Sequence, residues 1–249
     1  MLKRTEGIVL KSSVFGEADL IVTYLTRDYG LIKVFAKSPR KIKSRFGSSL
    51  EPLTYSKISL IGKEEANLPR LTQSDIIKAF QPLRDDFKCF LGISEILDLT
   101  LRFLPEKEPN FKVFKLLLDT LLKIGPDSSN RLYYLYCKIK FLEIAGYSPR
   151  LDVCGRCGTA SNNMHHNFYV SHGSIICERC IDGKDSSIRL SEGILKFYNS
   201  LHKWHLSNIN RVKAPEYFIS EINNIINSHV AYILDSPRQF KKEVFIGFS

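Results

Sequence analysis

The chain has 249 residues, 44% of them apolar and 25% charged, an ordinary globular balance that excludes disordered and fibrous classes. No apolar run approaches the roughly 18 residues needed to cross a bilayer, so a membrane-spanning protein is excluded and a cytoplasmic one expected. Lysine and arginine number 36 against 26 aspartates and glutamates, a net charge of +10, which favours a polyanionic partner.

The surplus is concentrated early: residues 1–80 carry 14 basic and 8 acidic side chains, the remainder 22 and 18 over twice the length. In that first stretch, "EGIVLKSS", "ADLIVTYLT", "LIKVFAK", "TYSKISLIG" and "RLTQSDIIKAF" alternate as strands do, with the turn-forming "FGEAD", "TRDYG" and "GKEEANLP" between them. Five short strands fit a small closed barrel, with an OB-fold the natural candidate. Alternation in "LIKVFAK" points Ile32, Val34 and Ala36 into the core and leaves Leu31, Lys33, Phe35 and Lys37 on the wetter face. Between the third and fourth strands, "KSPRKIKSRFG" gathers Lys37, Arg40, Lys41, Lys43 and Arg45 with no acidic neighbour. Such a loop can track phosphates, with Phe35 or Phe46 as a ring for a base to stack on. The plainer alternatives are a solvated basic loop and a Phe46 that anchors it by packing.

After "QPLRDD" the period changes to that of helices. Ile93, Ile96, Leu97, Leu101 and Leu104 form one stripe, ended by "PEKEP". Phe111, Phe114, Leu118 and Leu121 form a second, and Leu132, Leu135, Tyr136, Ile139 and Leu142 a third, read together as three helices of a bundle. Two more helices are expected, one capped by Ser191 and one opening near Pro215. Residues 1–80 are thus expected to form a nucleic-acid-binding barrel, and residues 81–249 a helical domain interrupted at 150–185.

That interruption, "VCGRCGTASNNMHHNFYVSHGSIICERC", holds two Cys-x-x-Cys pairs with nineteen residues between them. Cys154, Cys157, Cys177 and Cys180 have the spacing of a four-thiolate zinc site, and Gly155 and Gly158 give the turns their freedom. Four thiolates on Zn2+ carry a formal charge of about −2, which Arg156 and Arg179 can offset. The competing reading is two disulfides or four reduced thiols, disfavoured in an intracellular chain. A site closed by four thiolates leaves no position for substrate, so the role expected is structural. His165, His166 and His172 are read as surface or packing residues, and Cys89 and Cys137 as buried small hydrophobes. No phosphate-cradling loop, nucleophile elbow or metalloprotease helix is present, and Asp85, Asp86, Glu64 and Glu65 read as loop residues. A non-enzymatic binding protein is therefore expected.

The run "EGIVLKSSVFGEADLIVTYLTRDYGLIKVFAKSPRKIKSRFGSSLEP", followed by helices with an inserted four-cysteine cluster, resembles the RecO family of bacterial DNA repair proteins over essentially the whole chain. Its most specific positions are Gly16, Glu17, Asp19, Gly30, Lys37 and Ser44-Arg45-Phe46-Gly47; Pro39 departs from the pattern, standing where a small flexible residue is expected. The resemblance implies an α+β chain, an N-terminal OB-fold followed by a helical domain with an inserted zinc module. It also implies a nucleoid-associated role in recombinational repair, through binding of single-stranded and double-stranded DNA and annealing of complementary strands. Its partners would be RecR and the C-terminal tail of single-strand binding protein, in loading the RecA recombinase. A zinc-ribbon factor binding RNA or polymerase is the alternative.

Overall fold

The computed structural model describes residues 2–41, 44–63, 67–125, 131–160, 166–181 and 186–235. Contacts divide the chain into two units, residues 1–130 and 131–249.

In the first unit five strands close a barrel in the order β1-β2-β3-β5-β4, the OB-fold order. They are β1 (Leu2–Phe15), β2 (Asp19–Thr26), β3 (Gly30–Ala36), β4 (Tyr55–Ile61) and β5 (Arg70–Lys78). One long strand serves two neighbours: β1 pairs with β4 through Leu2–Ile8 and with β2 through Gly7–Phe15, with a shift of register between Val9 and Lys11 that lets it bend. Closure is completed by a parallel pairing of only Phe35 with Arg70 and Ala36 with Leu71. The interior is filled by Val9, Val22, Tyr24, Ile32, Val34 and Leu71 among others.

The expected alternation in β3 holds for its inward residues but not for Leu31, which is buried on the opposite face. The chain beyond the second helix lies along it, pairing Glu106 with Leu31, and the Lys107 N–H donates to the Leu31 carbonyl at 2.8 Å. Gly30 makes this approach possible: its φ is +65°, and a Cβ there would run into the Glu108 carbonyl.

Helices α1 (Gln81–Asp85), α2 (Phe87–Phe103) and α3 (Phe111–Lys123) complete the unit. Asp86 caps α2 by accepting from the Cys89 N–H at 2.8 Å, and Asn110 caps α3 by accepting from Val113 at 3.1 Å. The stripe of α3 is rotated from the one expected: Val113, Phe114, Leu117 and Leu121 are buried, whereas Phe111 is exposed and carries the Arg27 guanidinium over its ring.

The second unit holds α4 (Arg131–Ala145), α5 (Glu192–Lys203) and α6 (Glu216–Asp235). The three helices expected in one bundle are therefore divided, α2 and α3 falling in the barrel's unit and α4 packing with α5 and α6. Nearly every side of α4 is buried, Lys138 included, whose ammonium donates to Asn223 at 2.9 Å and Asn227 at 3.3 Å on α6. The Ser191 hydroxyl accepts from the Ile194 N–H at 3.3 Å, the cap that opens α5. Between α4 and α5 the chain makes a sheet in the order β6-β8-β7-β9, from Arg150–Cys154, Asn167–Tyr169, Ser174–Ile175 and Ser187–Arg189, where β7 is Asn167–Tyr169 and β8 Ser174–Ile175. No helix among the described residues is long and apolar enough to cross a membrane.

His229 joins α6 to this sheet. Its ring lies 2.9 Å from the Tyr147 carbonyl and edge-on to Phe168, and Gly173 leaves it room. Burial holds its pKa below the ordinary histidine value, against the raising effect of the Tyr147 carbonyl. The unfolded chain then binds the proton more readily, so this contribution to stability is complete above about pH 6.5 and is lost as pH falls below it. Thermal melts from pH 8 to pH 5 are expected to fall less steeply for His229→Gln than for the unmodified chain. Parallel curves would show that His229 does not carry the acid sensitivity.

Candidate metal centre and nucleic-acid interface

The four cysteines converge at one end of the small sheet. Strand β6 ends on Cys154, the turn after it carries Cys157, and the segment beyond β8 brings Cys177 and Cys180 back alongside. All four stand as free thiols with their sulfurs within 4.8 Å of one another, and Cys157 Sγ lies 3.6 Å from Cys177 Sγ. Tetrahedral thiolates at about 2.3 Å from a zinc ion are roughly 3.8 Å apart, so the donor set fits a four-coordinate soft-metal site. The disulfide alternative asks for sulfurs at about 2.05 Å, which this arrangement lacks.

The backbone is shaped to hold thiolates. Gly155 donates to the Ile175 carbonyl at 3.0 Å, and any side chain on it would collide with Ser174. Burial pushes the Cys154 thiol up, but N–H groups of Cys177, Cys157 and Arg156 outweigh it and hold the thiol below its usual value. Cys157 is brought down to about 6 by the Thr159 hydroxyl, then the Thr159 N–H and the neighbouring cysteines. Cys180 is pushed up to about 12 because Cys177, then Cys157, favour its protonated form. Cys154 and Cys157 thus sit where negative charge is favoured, and Cys180 where the proton is retained; a bound cation would draw the thiolate form from all four. Arg156 reaches the cluster as expected, donating to the Cys180 carbonyl at 2.7 Å with its other terminus 3.0 Å from His172 Nε2. Arg179 is exposed, and neither His166 nor His172 joins the sulfur cluster; His165 lies outside the described residues.

On the barrel, register aligns two rows across the outer face of β1, β2 and β3. Ser13, Ile21 and Phe35 form one, continued by Arg70 on β5, and Lys11, Thr23 and Lys33 form the next. Phe15, at the end of β1, is 51% exposed and meets Phe35 edge-on, ring centres 6.0 Å apart. The basic loop is tied to the β1–β2 turn beside this pair. Asp19 accepts from the Ser38 N–H at 2.6 Å, and Arg40 donates to Ala18 O through its backbone at 3.3 Å and to Glu17 O through its guanidinium at 3.1 Å. Lys37, Arg40, Lys41 and Arg45 are all exposed; Lys43 lies outside the described residues.

Two expected contacts differ. Phe46 is only 3% exposed and belongs to the barrel core, with the Arg45 guanidinium over its ring at 5.0 Å. It opens the short 3-10 turn Gly47–Leu50, and burying its ring there outweighs any use of it as a stacking surface, so Phe46 is an anchor. Lys33 is exposed but pairs with Glu106 at 2.5 Å; both side chains are about half exposed, so the pair is weak and can be surrendered to a phosphate.

The family model described as Recombination protein O N terminal matches residues 1–80, and that described as Recombination protein O C terminal matches residues 84–241. The chain is 46% identical over 248 residues to the DNA repair protein RecO of Thermodesulfovibrio yellowstonii, covering 96% of each. With the DNA repair protein RecO of Dehalococcoides mccartyi it shares 31% over 233 residues (93% of this chain, 90% of the relative), and with that of Bacillus pumilus 27% over 229 residues (92% and 88%). This chain belongs to the RecO family.

For a RecO-family DNA repair protein, the surface that sequence reasoning missed is instructive. Phe15 ends a strand next to Gly16, and only cross-strand register places it against Phe35. The available signal was the apolar pair Val14-Phe15 directly before a turn, where a polar residue is usual; both are more than half exposed.

Proposed function

We propose that this chain binds single-stranded and double-stranded DNA, anneals complementary strands, and with RecR helps load RecA onto DNA coated by single-strand binding protein. What supports the DNA-binding part is one observation: the loop carrying the exposed Lys37, Arg40, Lys41 and Arg45 is tied through Ser38 and Arg40 to the β1–β2 turn that follows Phe15 of the Phe15–Phe35 pair. Cations that follow the backbone give affinity without sequence preference, and the rings offer stacking that any base can use. The roles of RecR, RecA and the acidic tail of single-strand binding protein rest on family membership. On this reading residues 1–80 are the DNA-binding barrel, residues 81–249 a helical region divided between the two units and carrying a structural zinc module at 150–185, and no small molecule is turned over.

Changing Lys37, Arg40, Lys41, Lys43 and Arg45 to Ala tests it. Among the described residues only Arg45 touches the core, through the ring of Phe46, and Arg40 holds the Glu17 carbonyl at the surface, so the melting temperature should fall only slightly. Single-strand binding, measured by fluorescence anisotropy across a salt series, should weaken sharply. Each neutralised phosphate contributes about −0.7 to the log–log salt slope, so loss of five contacts flattens it by at most roughly 3.5. Wild-type affinity and slope would put the DNA elsewhere, and a clear preference for structured RNA over both DNA forms would favour a zinc-ribbon RNA-binding factor.

A further inference from the structure

The four sulfurs of the metal centre are chemically alike but unequally placed. Cys154 and Cys177 are buried with Tyr169 and Ile176 in the apolar core of the module, and Cys180 is half-buried against it. Of the four, only Cys157 is exposed. It rides on a turn closed by the bridge of Val153 with Ala160, and residues 155–160 are exposed throughout. A small solute therefore meets Cys157 first. Coordination to a metal requires the thiolate, and an accessible thiolate is the form that oxidants attack, whereas a buried one is spared.

Two neighbours suit Cys157 to oxidation. The Thr159 hydroxyl stands 3.1 Å from Cys157 Sγ. When a thiolate attacks a peroxide, negative charge gathers on the departing oxygen, and a hydroxyl held beside the sulfur can donate to it. The second neighbour is Cys177, whose Sγ lies 3.6 Å from that of Cys157. A disulfide has its sulfurs about 2.05 Å apart, so closing one here takes an approach of roughly 1.5 Å. Cys177 is fixed, its N–H directed at Cys154 Sγ at 3.4 Å within the core, so the exposed turn makes the movement.

We propose that Cys157 is a site of oxidation by peroxides and Cys177 its resolving thiol, so that a peroxide releases the metal from this module. The proposal rests on the metal-centre reading and goes beyond it. Cys157 Sγ attacks one oxygen of hydrogen peroxide, the O–O bond breaks, the sulfur gives up two electrons to become a sulfenic acid, and the other oxygen leaves as hydroxide. The Cys177 thiolate then attacks Cys157 Sγ, the S–O bond breaks and a second hydroxide departs. In sum, two thiolates and one hydrogen peroxide give one disulfide and two hydroxides. Cys154 and Cys180 are left as two donors where a tetrahedral site needs four, and the metal is lost. Strands β1 to β5 contribute nothing to the module's core, so the barrel is untouched.

The test uses the full chain, its metal content measured first, beside Cys157→His and Thr159→Val. The histidine variant keeps a donor, since three thiolates and an imidazole also hold zinc, but lacks the exposed sulfur. Hydrogen peroxide is added at one equivalent and in excess. Release is followed with a chromogenic chelator, thiols are counted, sulfenic acid is trapped with dimedone, and bridges are mapped by mass spectrometry. One equivalent is expected to remove two thiols for each ion released, dimedone to mark Cys157, and the bridge to join Cys157 to Cys177. The buried Cys89 and Cys137 should keep their thiols. Cys157→His should release metal at least about tenfold more slowly, and Thr159→Val severalfold more slowly with its metal content and melting temperature unchanged. Dimedone on another cysteine overturns Cys157 as the point of attack, a result independent of whether Cys157→His holds metal. Release from a metal-loaded Cys157→His at the unmodified rate overturns it equally. A bridge from Cys154 to Cys157 overturns the role of Cys177, and an unaltered rate in Thr159→Val that of the hydroxyl. A chain that keeps its metal in excess peroxide overturns the release alone, whereas a chain without metal before peroxide overturns the metal centre as well.

Discussion

Replacing Cys177 by Ser is expected to empty the thiolate cluster and unfold the module around it while the barrel stays intact. The apolar core of this module consists of Cys154, Cys177, Tyr169 and Ile176, with Cys180 and Ile181 against them, so half of it is ligand. Its strands run from two to five residues, too short to persist unaided. Structural zinc in small modules supplies about 10–16 kcal/mol of apparent binding free energy near neutral pH, and here little else is available to replace it. Metal analysis should drop from about one ion per chain to near none, and hydrogen exchange should rise across residues 150–160 and 166–181 but not in β1 to β5. The same site should lose metal on acidification. Protons compete with the metal for all four thiolates. Full metal content in Cys177→Ser would show that the four sulfurs do not act together.

How much of this was legible before the structure depends on the range of the interactions. The cysteine pairs and the Ser191 cap are local signals, and spacing alone carries their geometry. The five strands were legible because their alternation has a period of two. The misplacement of Leu31 arose because alternation describes only the strand itself, and the cover over Leu31 comes from Glu106 and Lys107, more than seventy residues away in sequence. The error in α3 has a related cause. With Phe111, Val113, Phe114, Leu117 and Leu118 all apolar, two adjacent stripes compete, and tertiary packing selects the one without Phe111. The narrow closure of the barrel could not be seen at all, since it depends on how few residues pair β3 with β5.

The clearest separation of packing from binding lies in two phenylalanines eleven residues apart. Phe46→Ala deletes a ring that is 3% exposed within the barrel core, a change that ordinarily costs about 3–5 kcal/mol. Phe35 is only partly buried, and its alanine variant forfeits chiefly the edge-on contact with Phe15, worth about 0.5–1.5 kcal/mol. In DNA binding the order reverses. Phe35→Ala is expected to weaken single-strand affinity by about 1–3 kcal/mol with little change in salt slope, because it removes stacking and no charge, and Phe15→Ala should do the same. Phe46→Ala, assayed well below its lowered melting temperature, should bind DNA with nearly unchanged slope, since Arg45 keeps its charge. Chemical denaturation and anisotropy on the same preparations measure both properties. A Phe46→Ala protein of full stability that had lost single-strand binding would return that ring to the DNA surface and remove it from the core.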